Sequence, residues 1–178
     1  MKPWLLNILA CPMDKHHPLD VYFFKYSSDK EASKSSFVEE YRILAKQIVE
    51  DVISPVSIQN IHDLSEDADS LRKNKAMLEV LPVLVENKSK GITSLVKEYS
   101  DELRALYAYL NLQEVEEGLL FCPECGRWYP IGCSLASIPE MLPDDLREKD
   151  KELEWLNKWE EKLPEPILKE GKPYNLST

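Results

Sequence analysis

Cys122-Pro123-Glu124-Cys125-Gly126 is the stretch of this chain best suited to chemistry: two thiols two residues apart, followed by glycine. A tight turn of that spacing aims both sulfurs at one point, which is half of a zinc knuckle. Its counterpart is expected at Cys11-Pro12-Met13-Asp14, which repeats the Cys-Pro opening but carries Asp where a second Cys would stand. Cys11, Cys122 and Cys125 are therefore the expected metal ligands, and zinc is the metal such thiolate pairs favour. The fourth ligand is either Asp14, by the symmetry of the knuckles, or His16, the softer donor in the same loop. His17 and Cys133 are outsiders. A metal-free core holding the same thiols is the competing reading, because free Cys is among the most buried residue types.

Little else in the chain could react. Only three His occur, two of them adjacent, and His62 stands alone in a segment read as helical, where a surface position is expected. Glycine occurs only at 91, 118, 126, 132 and 171, which leaves no phosphate-cradling loop. No nucleophile elbow is present. A thioredoxin-type thiol pair would open a helix, whereas a strand is expected after Cys125. Pairs such as Glu160-Glu161 read as solvated helix faces. The sequence describes a protein without an active site.

Composition narrows the partners. The 178 residues are 43% hydrophobic and 30% charged, as in an ordinary globular protein. A formal net charge of -10 opposes direct binding to a nucleic-acid backbone, which Lys and Arg must neutralise. No apolar run approaches the roughly 20 residues that span a bilayer. The N-terminal segment lacks the form of a signal peptide, so a cytoplasmic protein is expected. Four Cys in that compartment favour metal or redox chemistry over disulfides.

The elements that must position the thiols follow from periodicity. Trp4, Leu5, Leu6, Ile8 and Leu9 suit a short helix ending before Pro12, and Leu19 to Tyr26 reads as a strand. Ser36 and Glu39 form a candidate capping box for an amphipathic helix running to Val52. A second helix is expected over Glu66 to Val80, with Pro82 bending or ending it. A third runs from Ile92 to Leu110. Leu119 to Phe121 and Arg127 to Ile131 flank the second knuckle as short strands. Beyond Pro143, Leu153, Leu156, Trp159 and Leu163 share one helical face, with Trp155 and Trp159 one turn apart, and the residues after Pro166 look like a tail. The fold class is α+β. Residues 1–26 and 115–147 form a small zinc-ribbon-like β-domain, 36–113 an all-helical insert, and 148–178 an exposed helical extension.

The opening Met-Lys and apolar helix into Cys-Pro, the run CPECGRWYPI, and IPEML together resemble the small zinc-ribbon-like activator subunit shared by class I S-adenosylmethionine-dependent methyltransferases. The likeness covers residues 1 to about 26 and 115 to about 147, and looks archaeal. It implies a non-catalytic subunit that forms a heterodimer with the catalytic chain and stabilises it. The enzymes served modify tRNA, ribosomal RNA or translation release factors. Zinc would be structural, S-adenosylmethionine would bind only the partner, RNA would be met only through the partner, and no membrane would be involved. The departure is the first knuckle, where members with a full site have a second Cys. The expected docking residues are Leu5, then Arg127, Trp128, Tyr129 and Ile131, then Ile138, Pro139, Met141 and Leu142. A zinc-ribbon module that binds nucleic acid is the alternative, and a thiol redox or metal-transfer protein a weaker one.

Overall fold

The computed structural model describes residues 1–28, 38–53, 60–135 and 137–177. A four-stranded sheet of order β2-β1-β3-β4 organises them, with β1 Asp20–Ser28, β2 Ile61–Asp63, β3 Gln113–Phe121 and β4 Trp128–Ile131. β1 runs antiparallel to β3 and β3 antiparallel to β4, while β2 lies parallel to β1 with Val21 opposite Ile61. Aromatic and branched residues suit such a pleated ladder, and their alternation divides them between two faces.

One face carries the larger core. Val21 and Phe23 of β1, Val115 and Leu120 of β3, and Tyr129 and Ile131 of β4 pack there. Helix α1 (Val38–Val49) covers them with Tyr41, Leu44, Ala45 and Ile48, residues spaced to fall on one stripe. Asp67 caps the next helix, α2 (Ala68–Glu86), by accepting the Ser70 amide at 2.7 Å. Met77, Leu81 and Leu84 of α2 enter the same core. Helices α3 (Ile92–Glu98) and α4 (Ser100–Tyr107) add Leu95, Leu103 and Leu106, and a π-turn over Ala108–Leu112 leads into β3.

The opposite face takes Tyr22, Phe24, Leu119 and Trp128. Helix α5 (Lys149–Lys158) and the short α6 (Glu165–Glu170) lie over it, bringing Trp155, Leu156, Leu163, Ile167 and Tyr174. Phe24 stacks on Trp159 at 4.4 Å between ring centroids, and Trp128 lies parallel to Trp155 at 6.5 Å. A buried ion pair, Arg147 to Glu152, ties the entry of this layer to β4, with side-chain exposures of 0% and 4%.

Several expectations are corrected. The insert is not all-helical, because Ile61–Asp63 joins the sheet as β2; His62 does lie at the surface, stacked on Tyr22 at 4.7 Å, but on a strand. The second helix continues past Pro82 to Glu86. The third divides at Tyr99, whose φ of -124° and ψ of 38° leave the helical region. β3 begins at Gln113, well before Leu119. The extension is packed rather than exposed: Ile167 is 1% and Tyr174 8% exposed, because the sheet's second face offers aromatic surface that would otherwise meet water. The proposed cap at Ser36 lies outside the described residues.

Candidate metal centre

Sheet register brings the two knuckles together. Asp20 at the start of β1 pairs with Phe121 at the end of β3, so the segment entering β1 lies beside the segment leaving β3. Among the described residues, Cys11, Asp14, Cys122 and Cys125 bring their ligand atoms within 4.8 Å of one another. His16, His17 and Cys133 are not in that group.

The two knuckles are built alike. In the first, the Lys15 amide donates to the Cys11 carbonyl at 2.9 Å and the Cys11 amide to the His16 carbonyl at 2.9 Å. In the second, the Gly126 amide donates to the Cys122 carbonyl at 2.9 Å and the Cys122 amide to the Arg127 carbonyl at 2.8 Å. Each turn needs a left-handed residue in its fifth position, and Lys15 (φ 65°) and Gly126 (φ 74°) supply it. Asp14 therefore occupies the place that Cys125 holds in the other turn. His16 serves the loop through its backbone, its amide donating to Asp14 Oδ1 at 3.0 Å.

Distances test whether a tetrahedral ion fits. Thiolates about 2.3 Å from zinc stand about 3.8 Å apart at the tetrahedral angle, and a carboxylate oxygen at about 2.0 Å stands about 3.5 Å from a thiolate. Cys11 Sγ lies 3.7 Å from Cys125 Sγ, and Cys122 Sγ lies 3.4 and 3.6 Å from the two Asp14 oxygens. The donor set fits the ion. The backbone amide of His16, aided by the neighbouring thiols, holds the Asp14 carboxyl well below the usual carboxylate range, so it is ionised and ready to bind a cation. Burial pushes the Cys122 thiol up to about 12. That is opposite to the lowered pKa of a nucleophilic redox thiol, and a metal must displace its proton. Tyr129 places its hydroxyl 3.3 Å from Cys11 Sγ. Arg127, held by Asp144 through contacts of 2.9 to 3.2 Å and set against Cys125, puts a positive charge beside this cluster.

A family model described as Trm112p-like protein matches residues 2–132. The chain belongs to the Trm112p-like family. No curated protein sequence matches it. Trm112p-like proteins are small non-catalytic activators of methyltransferases. The family match ends just after β4, so α5, α6 and the layer they form lie beyond it.

The docking residues named from sequence are distributed unevenly. Trp128, Tyr129 and Ile131 are fully buried within the chain, so their side chains shape the strand from inside and have no surface to offer a partner. Arg127 is half-buried in its ion pair with Asp144. Leu5 is half-buried, while its neighbours Trp4 and Ile8 are 40% and 62% exposed. Ile138 and Leu142 are exposed at 47% and 41%, with Pro139 and Met141 half-buried between them. No described helix is long and apolar enough to cross a membrane.

Proposed function

We propose that this Trm112p-like chain is the stabilising subunit of class I S-adenosylmethionine-dependent methyltransferases that modify tRNA, ribosomal RNA or translation release factors, docking through residues 138–142. The observation that carries this reading is an open backbone edge. The Gly132 amide donates to the Ile138 carbonyl at 3.1 Å and the Glu140 amide to the Pro130 carbonyl at 2.8 Å, so 138–140 lies antiparallel along β4 through a single bridge and forms the outer margin there. On its far side the Pro139 carbonyl and the Met141 amide have no hydrogen-bond partner among the described residues. An acceptor and a donor two residues apart, flanked by exposed Ile138 and Leu142, are what an added strand requires. The same edge continues toward the N-terminus, because the Val115 amide donates to the Met1 carbonyl at 2.7 Å and the Ser137 amide to the Glu116 carbonyl at 3.2 Å.

In this reading Cys11, Asp14, Cys122 and Cys125 hold a structural zinc, S-adenosylmethionine and RNA belong to the partner, and the heterodimer is cytoplasmic. Zinc supplies a cross-link between the two ends of the β-domain and no chemistry on substrate. The partner gains because a subunit that binds only its folded form shifts its equilibrium toward that form. Co-expression with class I methyltransferases from the same genome tests the proposal. A cognate enzyme should be solubilised and co-purify, and Ile138→Asp should abolish co-purification while the isolated subunit stays folded. Failure of every candidate enzyme to bind the unaltered chain would sink the reading.

A further inference from the structure

β4 is shared by two assemblies on opposite faces of the sheet. The Arg127 carbonyl, just ahead of the strand, closes the second knuckle, and the Tyr129 hydroxyl reaches Cys11 Sγ. Between them Trp128 turns to the other face, and all its polar groups are taken by the C-terminal layer. Its amide donates to the Lys172 carbonyl at 3.1 Å, its indole Nε1 to the Tyr174 carbonyl at 2.9 Å, and its carbonyl accepts Arg147 Nη1 at 2.8 Å. The same layer grips the knuckle itself, since the Lys172 amide donates to the Gly126 carbonyl at 2.8 Å. Only glycine at 171 allows so close an approach: a Cβ there would stand 2.4 Å from the Ile167 carbonyl oxygen and 2.9 Å from Trp128 Cδ1.

We infer that Gly171–Tyr174 is a clamp on the second metal knuckle, so that metal loading and docking of the C-terminal layer reinforce each other. The inference rests on the reading that the four converging residues hold a metal. Backbone bonds at Gly126 and Trp128 hold the turn in the shape its two thiolates need before any ion arrives, as supporting shells do around metal ligands. Energetic coupling of this kind is reciprocal: if the docked layer tightens metal binding, bound metal tightens docking by the same factor. A site with a carboxylate in place of one thiolate has the most to gain from such support.

Amide hydrogen exchange on the full chain, zinc-loaded and after chelation, tests the clamp. Protection at the Trp128 and Lys172 amides should fall about 10-fold or more on zinc removal, whereas Leu81 and Leu84 in α2 should change less than about twofold. Conversely, Gly171→Val should weaken zinc binding about 10-fold in competition with a chromophoric chelator, and Lys169→Ala, at an exposed position nearby, should not. Exchange on the unaltered chain decides the matter if Gly171→Val does not fold. Unchanged protection at Trp128 and Lys172, uniform loss that includes α2, or a folded Gly171→Val with undiminished affinity would each overturn the clamp while leaving the metal site standing. A chain that purifies without metal and takes up none would remove the metal reading and the clamp with it.

Discussion

The two knuckles share a backbone and differ in chemistry. Both open with Cys-Pro, both close through the same pair of hydrogen bonds, and both place their fifth residue at positive φ. The second presents the Cys125 thiol and a glycine where the first presents Asp14 and Lys15. Turn shape is therefore separable from donor identity: the amides and carbonyls set the shape, and the residue in the fourth position decides how soft a donor the turn offers a metal. The first knuckle departs from the better residue twice. Lys15 in the left-handed region costs about 1–2 kcal/mol, partly offset where its ammonium donates to the Pro12 carbonyl at 2.8 Å. The second knuckle keeps both favourable residues and is the one gripped by the C-terminal layer.

Breaking the better knuckle should have the largest effect. Cys122→Ser should abolish stoichiometric zinc by elemental analysis and lower unfolding free energy in denaturant by more than about 3 kcal/mol. Asp14→Ala should reduce zinc affinity at least about 10-fold, while Asp14→Cys, which makes the knuckles chemically equal, should raise it above the unaltered chain in the same competition assay. Exchanging the fifth residues separates backbone from ligand: Gly126→Ala should destabilise by about 1–2 kcal/mol, and Lys15→Gly should stabilise by up to about 1 kcal/mol. His16→Ala should change zinc affinity and stability least, within about 0.5 kcal/mol, because its contribution to the loop is made by the backbone. An effect of His16→Ala as large as that of Asp14→Ala would move the fourth ligand to the imidazole.

Helices α1 and α2 were legible because their buried residues recur at helical spacing, a signal that a solvent-facing opposite side makes visible. β1 was legible as an aromatic run, and the thiol pair as a knuckle. β2 was not, since three residues are too few to show alternation and its pairing with Val21 to Phe23 lies about 40 residues away along the chain. The first half of β3, Gln113 to Glu117, reads as polar, and only its place inside a sheet buries Gln113 and Val115. The end of the C-terminal layer, beyond the helix that Leu153, Leu156 and Trp159 made legible, reads as tail because α6 has six residues and no periodicity to measure. The burial of Trp128 was illegible for the same reason: what covers it arrives from Trp155 and Tyr174.

By itself the sequence determined the kinds of atom available to the site and the local turns that present them, because Cys-Pro-x-Cys-Gly and its Asp-bearing echo act over a few bonds. It also determined membership of a family of activators through motifs near both ends of the β-domain. Only the tertiary structure decided that Asp14 rather than His16 meets Cys122 across 108 residues, and that the last residues of the chain reach the knuckle. Such convergence depends on strand register, which places Asp20 opposite Phe121, and on the need to cover the sheet's second aromatic face. Neither is a property of any short stretch of chain.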